Sequence, residues 1–254
     1  MLLAIDIGNT NIAIGLFQNN KLKEHWRIRS ERDKTGDEYA ILLLELLSLA
    51  DIDKNKISGV ILSSVVPPLT PVFQALSRDF LHKKPLVVGP GLKTGMPILY
   101  ENPQEVGADR IVASISAYER FGGPVIVCDF GTATTFDAIS GEGEYLGGAI
   151  APGIQIAAEA LYTKTAKLPH VEIIKPGKTI GRTTVSSIQS GLYFGYIGLV
   201  TNIIQEIKKE LGGSGKVIST GGFAGKVFQG IDAIDHYEPH LVLEGLQILF
   251  NRNS

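Results

Sequence analysis

Residues 2–17 read L-L-A-I-D-I-G-N-T-N-I-A-I-G-L-F, and the reading of this stretch decides the fold. Leu2–Ile5 is an apolar run, Asp6–Thr10 a polar turn containing Gly8, and Ile12–Phe17 is apolar again. Two short apolar runs joined by a glycine-containing turn predict a β-hairpin. Gln18-Asn19-Asn20 supplies a second turn before a run reaching Trp26 and Ile28. The chain therefore opens as a three-strand meander with a tight polar loop at its first corner.

The same pattern returns near mid-chain. Val125–Cys128 leads into D-F-G-T-A-T at 129–134, followed by the run Phe136–Ile139 and a turn at Gly141–Gly143. Both halves thus begin with strand, Asp-x-Gly-polar turn, strand, which implies a duplicated α/β fold of two lobes, 1–117 and 118–254, each a mixed sheet flanked by helices, with the site in the cleft between them. Between the repeats, helices are expected at Tyr39–Ala50, starting near Thr35–Asp37, and at Thr70–Leu81 and Ala108–Phe121. Strands are expected at Val60–Val66, stopped by Pro67-Pro68, and at Pro85–Val88. Residues 89–103 show little periodicity. After the second hairpin come a strand at Tyr145–Ile150, helices near Ile154–Tyr162 and Ser186–Leu211, and a strand at Lys216–Ser219. Helical patterns at Phe223–Phe228 and Leu241–Phe250 follow.

Composition excludes several classes. The chain has 254 residues, 44% hydrophobic and 20% charged, with a net charge of -2, so it suits a globular domain and carries no global pull toward nucleic acid or an acidic membrane. Its single cysteine, Cys128, lies in an apolar run and allows no intramolecular disulfide, which fits a reducing cytoplasm. The N-terminal run lacks a basic flank and is broken at once by Asp6, unlike a signal peptide. Thr183–Gln205 is free of charge and places Gly191 and Gly195 four apart, yet its Ser, Thr, Asn and Gln residues suit a helix buried on most faces or at a subunit interface better than a membrane span.

The turns suggest chemistry. Gly, Asn and Thr in a hairpin can direct backbone N–H groups and short hydroxyls at phosphate. Asp6 could hold Mg2+ through water, and Asp129 is its counterpart in the second lobe. Both turns are also compatible with structural Asx-turns. Gly221-Gly222, after Ser219-Thr220, leaves backbone bare enough for a flat adenine to approach, although it equally suits a strand-to-helix turn. Asp109, at the start of a helix in G-A-D-R, either stabilises the helix dipole or accepts a proton from an alcohol, with Arg110 holding an anionic group of the substrate. Other nucleotide signatures fail: 221–227 lacks the Walker spacing, 141–146 lacks the third glycine of a dinucleotide fingerprint, and no His/Cys cluster suggests zinc.

Taken together, D-I-G-N-T at 6–10, G-A-D-R at 107–110, D-F-G-T-A-T-T at 129–135, G-G-A-I-A-P-G at 147–153, K-L-P at 167–169 and S-T-G-G at 219–222 resemble the type III pantothenate kinases, of the actin/Hsp70/sugar-kinase superfamily. The resemblance implies a duplicated ribonuclease H-like (actin-like ATPase) fold and ATP-dependent phosphorylation of (R)-pantothenate to (R)-4'-phosphopantothenate, the first step of coenzyme A biosynthesis. It implies a cytoplasmic homodimer activated by K+ or NH4+. Carried over by motif, Asp6, Ile7, Gly8, Asn9, Thr10, Asn11, Ile12 and Ala13 would line the ATP phosphate site and Thr132 would contact ATP. Asp129 would bind the monovalent cation. Asp109 would be the proton acceptor, and Tyr100, Gly107, Ala108, Asp109 and Arg110 would contact pantothenate. Thr184 would reach the substrate from the partner subunit; many members have Asn immediately before this Thr, where this chain has Thr183. A sugar or acetate kinase of the same fold, and a non-catalytic nucleotide-binding regulator, are the alternative readings.

Overall fold

The computed structural model describes residues 1–222 and 231–254, so the helix expected over Phe223–Phe228 lies outside the described residues. The chain divides into two compact units. One comprises Met1–Met96, Glu101–Ser116 and His240–Ser254; the other comprises Pro97–Tyr100 and Ala117–Pro239.

The first unit is built on the opening meander, β1 (Leu2–Ile7), β2 (Asn11–Gln18) and β3 (Lys21–Arg29), extended by β4 (Gly59–Ser64) and β5 (Leu86–Val87). The strand order is β3-β2-β1-β4-β5, with the meander antiparallel and β1, β4 and β5 parallel. Sequence explains the order. β1 is buried along nearly its whole length, as its apolar run Leu2–Ile5 requires of a central strand. In β3 exposure alternates along the strand, with Leu22, Trp26 and Ile28 on the less exposed side and Lys21, Lys23, Arg27 and Arg29 on the exposed one, as suits an edge. Asn19 and Asn20 turn the chain between β2 and β3 with φ of 51° and 62°, a left-handed pair that asparagine tolerates. Helix α1 (Gly36–Leu49) starts on a reciprocal capping box between Thr35 and Glu38. Helix α2 (Leu69–Asp79) starts directly after Pro67-Pro68. Both helices pack on the sheet through Leu43, Leu47, Phe73 and Leu76 against Ile5, Ile14 and Leu62.

Helix α3 (Ala108–Phe121) leads into the second unit, where β6 (Val125–Phe130), β7 (Ala133–Ile139) and β8 (Tyr145–Pro152) form another antiparallel meander. The strands β9 (Lys216–Thr220) and β10 (His236–Tyr237) extend it in parallel, giving the order β10-β9-β6-β7-β8. Read from the meander outward, this is the strand order and direction of the first unit. Helices α4 (Ile154–Thr163) and α5 (Thr184–Glu210) flank the sheet, with Ile154, Tyr196, Val200 and Ile204 against Ile126, Cys128 and Phe136. Two mixed sheets of identical strand order, each flanked by helices, constitute a duplicated ribonuclease H-like fold.

The closing helix α6 (Leu241–Asn253) returns to the first unit. Glycines allow its approach: a Cβ on Gly59 would overlap the Phe250 ring, and one on Gly245 would overlap the carbonyl of Val112 in α3. Strand β10 has no counterpart among the sequence expectations, because its two residues are exposed and carry no apolar signal.

Candidate active site

In the first unit the Asp6–Thr10 turn connects β1 to β2. The Gly8 amide donates to the Asn11 carbonyl at 3.0 Å. A Cβ on Gly8 would stand 2.9 Å from that oxygen, so the turn is tighter than a side chain allows. From the flank, the Ser30 amide donates to the Thr10 carbonyl at 3.0 Å. Asn9, Thr10 and Asn11 are exposed at the tip, whereas the side chains of Ile7 and Ile12 are fully buried in the core. Of the eight residues expected here, these two isoleucines can meet a phosphate only through their backbone. Asp6 is half-buried, with Ala13 opposite it on β2 and Ser63 beside it on β4. The Ser63 Oγ is buried with no hydrogen-bond partner among the described residues.

Asp109 stands in the first turn of α3, where the helix dipole favours an anion. Its Oδ1 accepts the Arg110 amide at 2.8 Å. A Cβ on Gly107 would lie 2.5 Å from that same Oδ1 and 3.5 Å from Cγ1 of Val65, so glycine leaves the space the carboxylate occupies. Val65 in turn donates its amide to the Ile7 carbonyl at 3.0 Å. That link sets Gly107 and Asp109 against the corner from which the Asp6–Thr10 turn springs. Burial pushes the Asp109 carboxyl above the ordinary aspartate range, against the opposing pull of the Arg110 amide and guanidinium. A crowded carboxylate with a raised pKa is a better proton acceptor than a solvated one. Ala108 and Arg110 are half-buried beside it.

In the second unit Asp129 occupies the place on β6 that Asp6 occupies on β1, with Thr135 opposite it and Thr220 beside it. Gly221, at φ 97°, lies against it: a Cβ there would stand 2.6 Å from Asp129 Oδ1 and 2.7 Å from the Phe130 amide. The structure thus brings Asp129 and Gly221 together, with the exposed Gly222 next in the chain. Thr132 is exposed in the hairpin after β6, and its carbonyl accepts the Gly153 amide at 3.2 Å. A Cβ on Gly153 would overlap that carbonyl, which accounts for the glycine at the head of α4.

Tyr100 also belongs to the second unit, half-buried, with its ring over Gly147 and 6.4 Å from the ring of Tyr145. Thr184 is the first residue of α5 and is exposed. It lines an open groove of about 1000 Å³ with Leu161, Leu168, Ile188 and Leu192; neither Asp129 nor Gly221 contributes to that lining. Thr183 is the N-cap of α5, its Oγ1 accepting the Ser186 amide at 3.1 Å. Thr and Asn are both good N-caps, so the departure at this position preserves the helix start. Sequence reasoning passed over Asp137 and Tyr145, a buried hydrogen-bonded pair. The available signal was a carboxylate two residues beyond Thr135, on the strand face shared with Asp129.

The motif geometry has counterparts in known proteins. Residues 2–206 match the family model described as type III pantothenate kinase. A type III pantothenate kinase of Moorella thermoacetica is 54% identical over all of both chains. Among solved structures, a protein described as a Baf family transcriptional activator from Campylobacter jejuni superposes with a TM-score of 0.62 at 20% identity, covering 99% of this chain and 98% of that one. A 2-dehydro-3-deoxygalactonokinase-type protein from Sinorhizobium meliloti superposes at 0.58 and 12% identity, covering 99% and 96%. At those identities the two structures bear on the fold alone. The family match and the full-length identity go further, and on them the chain belongs to the type III pantothenate kinase family.

Proposed function

We infer that this protein is a kinase that uses ATP to phosphorylate pantothenate at its primary hydroxyl, the first step of coenzyme A biosynthesis. One observation carries the assignment of roles: the Asp109 carboxylate, set on Gly107 at the head of α3 and raised in pKa by burial. Asp109 accepts the hydroxyl proton as the oxygen attacks the γ-phosphate, and Arg110 holds the carboxylate of the substrate. The exposed Asn9, Thr10 and Asn11, together with the backbone of the turn, receive the phosphates, while Thr132 and the bare backbone of Gly221 and Gly222 receive the rest of the nucleotide. Tyr100 packs against the acceptor.

Among the described residues no cluster of three metal-ligating side chains occurs. Magnesium in kinases takes one or two carboxylates and completes its shell with phosphate and water, so Asp6 alone fits it. Asp129, with the hydroxyls of Thr135 and Thr220 beside it, offers the all-oxygen surroundings that K+ or NH4+ accepts. When bound, these ions neutralise the charge that builds up on the phosphates during transfer.

The same reading makes the protein a homodimer. Ile150, Tyr162 and Val185 are exposed on β8, α4 and α5. Gly191, Gly195 and Gly198 of α5 face open space, where a Cβ would meet nothing within 4 Å. Each helical glycine costs about 1 kcal/mol relative to alanine, a cost that a closely approaching second copy offsets. Thr184, at the rim of this face, would then reach the acceptor of the partner. Use of ATP and one buried thiol support a cytoplasmic location; no helix among the described residues is long and apolar enough to cross a membrane.

The test is ADP release that depends on pantothenate, in Mg2+, with and without K+, and with glucose, glycerol and acetate as rival acceptors. Turnover confined to pantothenate and raised by K+ is expected. Turnover on a sugar or acetate instead, or binding of ATP and pantothenate with no turnover, overturns the reading.

A further inference from the structure

None of the roles above uses the buried carboxylate of Asp137. It is 1% exposed in the middle of β7, flanked by the apolar Phe136, Ala138 and Ile139. A charge in such a place is costly unless hydrogen bonds meet it. Two hydroxyls do: Tyr145 Oη donates to Oδ1 at 2.6 Å, and Thr135 Oγ1 donates to Oδ2 at 3.2 Å. For stability alone, apolar residues of similar shape would serve as well or better than such a pair. Its presence points to something whose position matters.

That something is carried by Tyr145. This residue is fully buried at the start of β8. Its amide donates to the Pro97 carbonyl at 2.8 Å, and its carbonyl accepts the Leu99 amide at 2.9 Å. Ile98 bridges to it in parallel. Its ring stands tilted beside the ring of Tyr100, which rests over Gly147. Residues 97–100, which have no regular structure beyond this bridge, are therefore fastened to the sheet at Tyr145. The other end of the polar row is Thr135, directly opposite Asp129 in the β6–β7 register. Opposed residues of an antiparallel pair share a face. A line of polar side chains thus runs across one sheet from Asp129 and Thr135 through Asp137 and Tyr145 to Tyr100.

We propose that Asp137 is a positioning residue for the acceptor substrate: by fixing Tyr145 it holds segment 97–100, and with it Tyr100, in the conformation that receives pantothenate. This inference rests on the reading of Tyr100 given above. It assigns Asp137 no contact with substrate, and it predicts a defect in acceptor binding that leaves nucleotide binding intact.

The test compares Tyr145→Phe, Asp137→Asn and the double variant, in the intact protein, by steady-state kinetics and by hydrogen exchange at the Leu99 amide. Removing one partner of a buried hydrogen bond is worth about fivefold to a hundredfold in an equilibrium, so Tyr145→Phe should raise the KM for pantothenate about tenfold. The KM for ATP and kcat should stay within about twofold, and exchange at Leu99 should quicken. Asp137→Asn keeps an acceptor oxygen and should fall between wild type and Tyr145→Phe; it carries the same readouts if Tyr145→Phe does not fold. The losses of the double variant should fall well short of the product of the single ones, because both changes remove or weaken the same Tyr145–Asp137 bond. An unchanged pantothenate KM, an equal loss against ATP, or unaltered Leu99 exchange overturns the proposal. If the wild-type protein itself shows no pantothenate-dependent turnover, the function inferred above fails instead, and Leu99 exchange alone then decides whether Asp137 anchors the segment.

Discussion

The two hairpins that open the two units are the same device in different settings. Both follow a buried central strand, both end that strand with Asp-x-Gly, and both set the aspartate beside a hydroxyl residue of the parallel neighbour, Ser63 for Asp6 and Thr220 for Asp129. They differ in what crowds them. The first hairpin spans Gly8–Asn11 between the paired Ile7 and Ile12, with a tip of exposed polar side chains. Its neighbourhood supplies a second carboxylate, Asp109, at a helix start. The second is one residue shorter between the paired Phe130 and Thr134, and it is pressed by glycine backbone, Gly221 on one side and Gly153 on the other. Duplication kept the frame and the acidic corner. The loops around them differ, and the function proposed above gives them different chemistry: proton transfer and phosphate in the first unit, cation and nucleotide in the second.

The largest effect should come from removing Asp109, a carboxylate that the second hairpin lacks beside it. Asp109→Asn is expected to lower turnover by roughly 10²–10⁴, as loss of a general base does. The sign of its effect on stability is set by the raised pKa. Between the ordinary aspartate value and the raised one, the folded protein keeps a proton that the unfolded chain gives up, so Asp109 makes stability fall as pH rises through that window. Above it, ionised Asp109 opposes folding, and Asp109→Asn should melt no lower than wild type at neutral pH. Turnover of the wild type should rise with pH through the same window, because the carboxylate is the active form. A melting point clearly below wild type would show that the carboxylate serves the fold instead.

A pair of glycine substitutions separates the two corners. Gly107→Ala meets only a side chain, the Asp109 carboxylate, which must swing away. A displaced reacting group can cost about a hundredfold in rate, with little change in melting point. Gly153→Ala meets the backbone carbonyl of Thr132 and cannot be relieved so easily. Overpacking of that kind costs about 1–3 kcal/mol of stability. Equal losses of rate and of stability in both variants would erase the distinction. The smallest effect is expected at Thr183: Thr183→Ala should cost about 1 kcal/mol in a denaturant melt, and Thr183→Asn almost nothing, since asparagine caps as well.

Much of this was legible in the chain. The alternation in β3, the apolar runs of β1 and β6 and the capping residues of α1 each encode their element within a few neighbours. The repeated hairpin disclosed the duplication. What stayed hidden depends on partners distant in sequence. Residues 97–100 have no pattern of their own and are ordered by Tyr145, far along the chain. Ile7 and Ile12 read as part of a binding loop, yet the pleat turns both side chains inward. Gly221 reads as a turn, and only the fold reveals that it stands against Asp129. In each case a tertiary neighbour, and not the local sequence, decided where the residue stands.

The return of α6 to the first unit also bears on how the protein is made. On the ribosome, strands β1 to β5 emerge early, but the helix that covers Gly15 and Gly59 with Leu243 and Phe250 is synthesised only after the whole second unit. At about 5–20 residues per second, the apolar strip awaiting that helix stays open for many seconds. The first unit, although translated first, is finished last, and a ribosome that stalls within the second unit holds a nascent chain with that strip still uncovered, a ready target for chaperones.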